Sequence, residues 1–350
     1  MSGKIAAQKA TGSIRNQAID LMKLVLSVFV VMIHSQVDLW VFTPFLRIAV
    51  PLFFITSSYY FFKKINNCET QTQRSKALGK LLKRNLTLYA FWFVVLLPIT
   101  LYVRKGEWLS GSVMQGVVGF LQSLLFNSTF RASWYIMALC IGMCIIYLLS
   151  RKIKPEVLTV LMVPAYLLCC LFTNYTGLAE RSELVMKLYD GYISVFRSLS
   201  NSFPVSLLWL SMGAVFAKQE RSYNKKTLWI VIALSALGLM AEYLLVSRYQ
   251  LQNGDDAYLM LIPLCWALFA LLKDVRLEWG ARYRMGHVST IIYASHASVI
   301  TVLGAVVHKF VPNDGGWLVF VATMIACLCI SAVIFRLEKC RGLHWLRLSY

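Results

Sequence analysis

The sequence predicts an all-α, polytopic membrane protein with about ten transmembrane helices and both termini in the cytoplasm. Its 350 residues are 58% hydrophobic and 15% charged, and the mean hydropathy is +0.63. Soluble domains average roughly 45–50% apolar and about 25% charged residues. The apolar residues also form long blocks bounded by charged residues, as they do in membrane-spanning helices.

Ten blocks of mainly apolar residues are predicted to span the membrane, because a helix of about 20 residues crosses the hydrocarbon core. Pro51, Pro98, Pro164 and Pro263 interrupt four of these blocks. In chain order the predicted helices are Ile19–Gln36, Ile48–Phe62, Leu86–Val103, Trp134–Ser150, Glu156–Phe172, Phe203–Ala217, Thr227–Val246, Ala257–Leu272, Val288–Val307 and Gly316–Phe335.

Two further stretches, Val113–Phe126 and Leu184–Leu199, are too short or too polar to span alone, and we interpret them as re-entrant or surface helices. They lie in the two longest connections, Arg104–Ser133 and Thr173–Ser202, each of 30 residues. Long loops in compact proteins are usually functional or disordered. Because both connections carry an amphipathic stretch, we expect them to form an ordered cap over the outer mouth of the bundle.

The basic residues orient the predicted bundle. With the N-terminus inside, most of the 35 Lys and Arg residues fall in the two tails and the even-numbered loops. This bias is the one that the positive-inside rule describes. The chain is therefore predicted to be a single integral-membrane domain over residues 1–350, with cytoplasmic tails at 1–18 and 336–350.

The same distribution explains the net charge of +19. Positive residues spread over short cytoplasmic loops face anionic lipid headgroups, so the bilayer is the expected partner and nucleic acid is not. None of the nine cysteines falls in a predicted outward loop, so no disulfide framework is expected. The sequence has no paired CxxC motif for zinc and no glycine-rich phosphate loop, and no metal site is predicted.

The first predicted helix carries polar residues on one face. At about 100° per residue, His34, Ser27 and Asp20 lie about 20°, 40° and 60° from Lys23. A polar stripe faces a bundle interior or a water-filled cavity rather than lipid. Since His34 lies about 16 Å further out than Lys23 at ~1.5 Å per residue, the stripe predicts a polar path across the membrane. Alternatively, Lys23 reaches the headgroups and His34 sits at the outer interface.

These residues resemble the membrane-bound acyltransferase family 3, which includes bacterial sugar O-acetyltransferases and the membrane domain of serine racemases from vancomycin-resistance clusters. The first-helix pattern of that family is matched by Ile19, Asp20, Lys23 and His34. Its second-helix pattern resembles the segment RIAVPLFFITSSYYF at 47–61. Shorter matches follow at Lys83 and Arg84, at Trp134 and Tyr135, and at Tyr293 and His296.

The resemblance implies transfer of an acyl group, usually acetyl from acetyl-CoA, to a hydroxyl of a cell-envelope glycan or its lipid-linked precursor. It implies a multi-pass protein of the bacterial inner membrane. An acyl-CoA is then a donor substrate, and no bound cofactor is expected. Lys83 and Arg84 on the basic inner surface are predicted to bind this anionic donor. His34 is the predicted general base, and Lys23 and Asp20 are expected to hold the donor side of the path.

Four residues near the outer ends of the second and fourth helices are predicted to contact the acceptor. Arg47 is predicted to lie at about the same depth in the membrane as His34, and it is expected to contact an oxyanion or the acceptor. The alternative is that Arg47 anchors the helix at the lipid headgroups. Arg131 precedes Trp134 and Tyr135, which could stack on a sugar or form an interfacial aromatic belt.

Five further candidates are weaker. Arg197 and Asn201 resemble the basic and polar entry to the sixth helix of the family, at the predicted outer mouth. Glu242 needs a partner if buried, and a structural ion pair is the alternative to substrate binding. Tyr293 and His296 form a second polar face, where His296 is either a satisfied bundle histidine or a second candidate base.

Two other classes of protein remain possible from the sequence. A transporter or exporter also has about ten helices and buried polar residues, but we find no convincing inverted repeat. A membrane scaffold without enzymatic activity would not need the polar stripe. Acyl transfer is the primary prediction and transport the alternative.

Single-cysteine labelling of a cysteine-free background tests the predicted orientation. Residues in Arg104–Ser133 should react with an impermeant reagent in intact cells, because this loop is predicted to be outside. Residues in Asn66–Gly79 should react only after permeabilisation. The opposite pattern would reverse the orientation of the whole bundle.

Overall fold

The computed structural model describes residues 16–108, 111–219, 222–252, 254–275, 277, 284–311 and 316–350. These parts of the chain are helical, with no β-strand among them. Most of the predicted N-terminal tail, residues 1–15, lies outside the described residues. The α-helices are α1 (Gln17–His34), α2 (Ala49–Asn66), α3 (Gln71–Val95), α4 (Leu97–Trp108), α5 (Val113–Phe126), α6 (Trp134–Ser150), α7 (Pro155–Leu171), α8 (Thr176–Ala179), α9 (Glu183–Phe196), α10 (Phe203–Lys218), α11 (Lys225–Arg248), α12 (Leu261–Leu272), α13 (Met285–Phe310) and α14 (Trp317–Leu337).

The prediction of an all-helical membrane protein is confirmed, and each of the ten predicted segments contains a helix. In the described residues, 5 helical stretches are long and apolar enough to cross a membrane: α1, Trp40–Asn66, α11, α13 and α14. The first part of Trp40–Asn66 is a 3-10 helix, Trp40–Ile48, that leads into α2. Helices α3 and α4 together could form a further span, bent by 83°. The remaining predicted spans correspond to the shorter helices α6, α7, α10 and α12.

The predicted helix Leu86–Val103 is wrong at its start and in its continuity. Helix α3 begins at Gln71, because Thr70 and Gln73 form a capping box outside the apolar block. The helix then breaks at Leu96, before Pro98. Proline lacks a backbone donor and clashes with the preceding turn, so it ends the straight helix at this point.

The start of predicted helix Ala257–Leu272 is also wrong, because α12 begins at Leu261. The backbone N–H groups ahead of it are bound by side chains instead of by a longer helix. The N–H of Ala257 donates to Asn174 over 3.0 Å, and those of Leu259 and Met260 donate to a carboxylate on α11. Side-chain acceptors thus satisfy donors that a helix N-terminus leaves unpaired.

Helix α10 lies at the centre of the bundle, where it packs against α2, α6 and α7. Its contact with α2 is a close approach of two backbones at Gly213. A Cβ atom there would lie 2.5 Å from the carbonyl oxygen of Ile55 and 2.9 Å from the nitrogen of Tyr59. Glycine is therefore required at position 213 for α10 to pack this closely. A second packing unit joins α13 to α14 and α1.

The C-terminal segment folds back onto the bundle. A 3-10 helix, His344–Ser349, packs on α3, where the indole of Trp92 donates to the Ser349 carbonyl over 3.0 Å. Arg284 donates to Glu338 over 2.8 Å and also bonds the Tyr350 hydroxyl. Burial alone would raise the pKa of Glu338, but the hydrogen bonds from Arg284 and Tyr350 outweigh it and lower this pKa. The terminal residue thus ties the start of α13 to the end of α14.

Gly213→Ala should destabilise the bundle, since the new methyl group would push α10 away from α2. Overpacking of this kind typically costs about 1–3 kcal/mol. We expect a lower Tm for the purified variant in detergent, measured against the wild-type protein.

Gly79→Ala is the matched control, because the Gly79 position in α3 has open space around it. Alanine is favoured over glycine in a helix by about 0.5–1 kcal/mol, so this Tm should stay the same or rise. An unchanged Tm for Gly213→Ala would show that α2 and α10 can separate without cost.

Candidate active site

A cavity of about 260 Å³ lies between the end of α1, the start of α2, the segment before α6 and the segment before α10. It brings together residues from distant parts of the sequence. The predicted site residues that line it are His34, Arg47, Arg131, Trp134, Tyr135, Asn201 and Tyr293. The structure thus gathers most of the predicted acceptor-binding residues around one cavity.

The polar stripe of α1 faces the bundle. Asp20 and Ser27 are buried, while Val25 on another face of the helix is 43% exposed. The Ser289 hydroxyl donates to the Lys23 carbonyl over 2.8 Å, so α13 packs directly on this stripe. His34, at the end of the stripe, is half-buried in the cavity wall.

His34 lies beside His296 of α13, with 5.1 Å between the ring centroids. His296 is completely buried. Its Nδ1 lies 2.6 Å from the carbonyl oxygen of Tyr293 and 3.1 Å from that of Ile292. A carbonyl only accepts, so Nδ1 carries the proton and Nε2 has a free lone pair. Nε2 is buried and has no hydrogen-bond partner in the described part of the chain.

Three arginines line the cavity, and two of them are neutralised by carboxylates. The Arg47 guanidinium contacts two carboxylates, donating to Asp256 over 2.8 Å and to Asp255. Arg104 pairs with Glu107 over 2.7 Å. Within the described ranges no carboxylate pairs with Arg131, which donates to the Thr301 hydroxyl over 3.4 Å. Of these three arginines, Arg131 is the one without a carboxylate partner in the described residues, so its charge is available to a bound anion.

Aromatic side chains form the wall next to Arg131. The Tyr135 and Tyr293 rings are 5.4 Å apart, and the Tyr293 hydroxyl donates to the Ala132 carbonyl over 2.6 Å. Ala132 has a left-handed backbone, φ 65°, which turns the chain sharply into α6. The hydroxyl of Ser128 accepts from the backbone N–H of Trp134 over 3.1 Å. These bonds hold the segment before α6 against the cavity.

The predicted outer cap is ordered in the described residues. Helices α5 and α9 lie where the two amphipathic stretches were predicted, and Gln122 of α5 donates to the carbonyls of Ser194 and Val195 in α9. Arg197 does not line the cavity but pairs with Glu107, the same carboxylate that binds Arg104. Arg197 therefore acts on the cavity only through Glu107.

Glu242, predicted to contact substrate, does not line this cavity, and its carboxylate is bound by donors of the protein itself. Its carboxylate accepts from the Tyr175 hydroxyl over 2.5 Å and from the N–H groups of Leu259 and Met260 over 2.6 and 2.9 Å. An anionic group at a helix N-terminus is stabilising, and these N–H groups lead into α12. Burial and the hydrogen bond to Glu242 raise the pKa of Tyr175, which keeps the hydroxyl a donor.

The predicted donor residues lie away from this cavity. The Lys23 ammonium group is 5.8 Å from the ring centroid of Tyr60 in α2. Asp20 is buried one helical turn before Lys23. Lys83 and Arg84 lie on an exposed face of α3. They line neither this cavity nor a second one at the other end of α2.

Sequence reasoning missed several cavity residues. Arg104, Asn127, Ser128, Ser200 and Asp256 line it as well. All of them lie in or beside the predicted outward loops, where there is no helical periodicity to predict which way a side chain faces. The charges of Arg104 and Asp256, each close to the end of a predicted span, were the available signal.

The fold and the cavity define a multi-pass membrane protein with a cavity in its bundle that charged, polar and aromatic side chains line. The chain belongs to the acyltransferase 3 family, whose acyltransferase domain matches residues 16–336. This membership supports acyl transfer as the chemistry. No solved structure has significant similarity to the chain.

Curated relatives come from enterococci. A serine/alanine racemase of Enterococcus gallinarum is 24% identical over 82% of this chain and 41% of its own length. Two amino-acid racemases of Enterococcus faecalis are 21% and 23% identical, over 74% and 93% of this chain and 36% and 47% of their own lengths. The chain therefore spans less than half the length of each of these relatives.

Glu242→Ala should lower stability without changing acceptor affinity. A buried donor left without its acceptor costs about 1–3 kcal/mol, and three donors lose theirs here. We expect a clear drop in Tm and an unchanged KM for the acceptor in protein that remains folded. The control is Glu180→Ala, which removes an exposed carboxylate at the end of α8. A normal Tm with a raised KM for Glu242→Ala would instead support substrate contact.

Proposed function

We propose that the protein is a membrane O-acyltransferase. It moves acetyl from cytosolic acetyl-CoA to a hydroxyl of a cell-envelope glycan, or of its lipid-linked precursor, at the outer face of the bacterial inner membrane. The observation that carries this proposal is the cavity lined by both His34 and Arg131, an arginine without a carboxylate partner in the described residues. Ten membrane crossings with both termini inside are part of the proposal.

His34 is suited to act as the general base. An acyl transfer to a hydroxyl needs a group that removes the hydroxyl proton, and histidine is the side chain most often used. In the proposed step the acceptor oxygen attacks the thioester carbonyl as His34 takes the proton. The carbon–sulfur bond then breaks, and the coenzyme A thiolate recovers a proton from the histidine.

His296 is suited to position His34. Its protonated Nδ1 is fixed by two backbone carbonyls, so its Nε2 can only accept. A neutral His34 that donates one ring N–H to this acceptor keeps its other nitrogen free for the acceptor hydroxyl. Fixing the tautomer of a catalytic histidine through a second group is a common arrangement.

Arg131 is suited to stabilise the oxyanion of the attacked carbonyl. Its guanidinium presents several N–H donors and, in the described part of the chain, has no carboxylate to neutralise it. Donors aimed at developing negative charge are usually a large contribution to catalysis. The charge of Arg47 is already compensated by Asp255 and Asp256, so this residue is better suited to shape the cavity.

The size and lining of the cavity suit one sugar residue rather than a long glycan. Its volume of about 260 Å³ is just below the ~300–1,000 Å³ of sites for drug-sized ligands. Trp134 and Tyr135 offer aromatic surface for a sugar ring, and Asn201 offers amide donors and acceptors. The rest of the acceptor would remain outside, under the cap formed by α5 and α9.

Transport of a small molecule or glycan precursor is the alternative, and the 83° bend between α3 and α4 is the feature that favours it. Transporter sites are often built at broken helices whose unwound backbone binds the substrate. Here, however, the break at Leu96 lies in an apolar cluster with Trp92 and Phe130. The polar cavity therefore gains no unwound backbone from this break, which makes transport the weaker candidate.

Racemisation is not part of the proposal. The relatives named racemases are more than twice as long as the region that they share with this chain. The acyltransferase domain covers residues 16–336 of this chain, so most of each shared region falls within it. Their name therefore describes proteins with a large part that this chain does not match.

His34→Ala should abolish acyl transfer while the protein stays in the membrane. General-base catalysis contributes about 10²–10⁴-fold, so little product should form. The measurement is mass spectrometry of envelope glycans from cells with the wild-type gene, the variant gene or no gene. The acetyl mass increment should be lost in cells with the variant gene and in cells without the gene.

Two comparisons sharpen this test. His344→Ala removes an exposed histidine that does not line the cavity and should leave acetylation unchanged. Lys23→Ala should weaken donor use, and Lys23→Arg should retain more activity because it keeps the charge. Full acetylation with His34→Ala at normal expression would reject this residue as the base and point to His296.

A further inference from the structure

A second polar cavity, of about 610 Å³, lies at the other end of α2, on the side predicted to be cytoplasmic. The end of α2 contributes Tyr59 and Lys63, and α3 contributes Arg74. The ends of α10 and α12 close it with Lys218 and Lys273. Unlike the first cavity, this one is lined mostly by polar and positively charged groups.

Four cations line this cavity. Two of them pair with a carboxylate, and in the described residues the other two do not. Lys218 pairs with Glu156 over 3.3 Å, and the buried Lys273 pairs with Asp274 over 3.0 Å. Lys63 instead contacts the hydroxyl of Tyr59 over 3.1 Å. Arg74 donates to the backbone carbonyl of Cys68 over 3.3 and 3.2 Å.

Neither Lys63 nor Arg74 has a carboxylate partner in the described ranges. A positive-inside bias alone scatters cations over exposed loops. Two uncompensated cations around one cavity, beside two compensated ones, are instead the arrangement that binds a multiply charged anion. Arginine in particular suits phosphate, because its planar fork of donors matches phosphate oxygens.

Helix α2 connects the two cavities. Phe53 lines the first and Lys63 lines the second, and these two residues are about 15 Å apart along the axis at ~1.5 Å per residue. Between them, Lys23 of α1 faces Tyr60. An elongated donor with its charge at one end and its reactive group at the other fits this separation.

We propose that this second cavity binds the phosphate groups of the acyl-CoA donor through Lys63 and Arg74. The inference rests on the proposed acyl transfer and assigns the donor site for it. It replaces Lys83 and Arg84, the pair predicted from the sequence, with two cations that face a cavity. An anionic lipid headgroup carries the same phosphate chemistry, and the test separates the two sources.

The test measures binding of coenzyme A to the full-length protein by calorimetry. The protein is held in nanodiscs of phosphatidylcholine, which carry no net negative lipid charge. Lys63→Gln and Arg74→Gln should each weaken binding by about tenfold, as expected for one lost hydrogen bond to a charged group. Arg74→Lys should lose less. Lys76→Gln, an exposed cation on the same helix that does not line the cavity, should bind like wild type.

Dephospho-coenzyme A gives a second readout, because it lacks one phosphate. It should bind more weakly than coenzyme A to the wild-type protein, and the Arg74→Gln and Lys63→Gln variants should discriminate less between the two. Equal affinity of both variants and wild type for coenzyme A would overturn the inference. So would loss of affinity in Lys83→Gln and Arg84→Gln alone.

A lipid site gives a different result. In that case the Lys63 and Arg74 variants would bind coenzyme A normally but retain less phosphatidylglycerol from mixed nanodiscs, and the inference would be wrong. If the wild-type protein bound no coenzyme A, the inference would fail together with the proposed donor. Acetylation of glycans in cells, measured separately, tests acyl transfer without reference to this cavity.

Discussion

The arrangement of the bundle depends on the cost of polar side chains in hydrocarbon. Asp20, Lys23, Ser27 and His34 share one face of α1, and only packing inside the bundle keeps that face away from lipid. This constraint brings α13 onto the stripe, with Ser289 on the backbone of Lys23 and a histidine beside His34. One wall of the first cavity therefore follows directly from the orientation of α1.

Charge compensation explains the remaining walls. Arg47, Arg104 and Arg197 lie partly exposed near helix ends, and each of them pairs with a carboxylate. Asp255 and Asp256 fold over Arg47, and Glu107 joins Arg104 to Arg197. These ion pairs join described residues of the connections to the wall of the cavity. Arg131 has no carboxylate partner within the described residues, so its charge is available to a bound anion.

Local rules in the sequence predicted a large part of the fold and of the first cavity. The apolar blocks located the helices, and helical periodicity gave the inward direction of the stripe. Helix ends were less predictable, because the capping box before Gln71 lies in a polar stretch and the start of α12 depends on Glu242. Pairings such as Arg47 with Asp255 join residues far apart in sequence, and no spacing rule anticipates them. The same is true of Lys63 and Arg74, which have no carboxylate partner among the described residues because of which segments fold nearby.

The two cavities are held apart by one tightly packed helix. Helix α2 carries Phe53 at one cavity and Lys63 at the other, and α10 packs on the middle of α2 without an intervening side chain at Gly213. Closely packed helices transmit strain and resist small shifts. The separation between the cavities is therefore a fixed property of the α2–α10 contact. The proposed transfer from an inner donor to an outer acceptor requires such a fixed distance, because the acyl group would reach the proposed base, His34, only if the donor extended along α2.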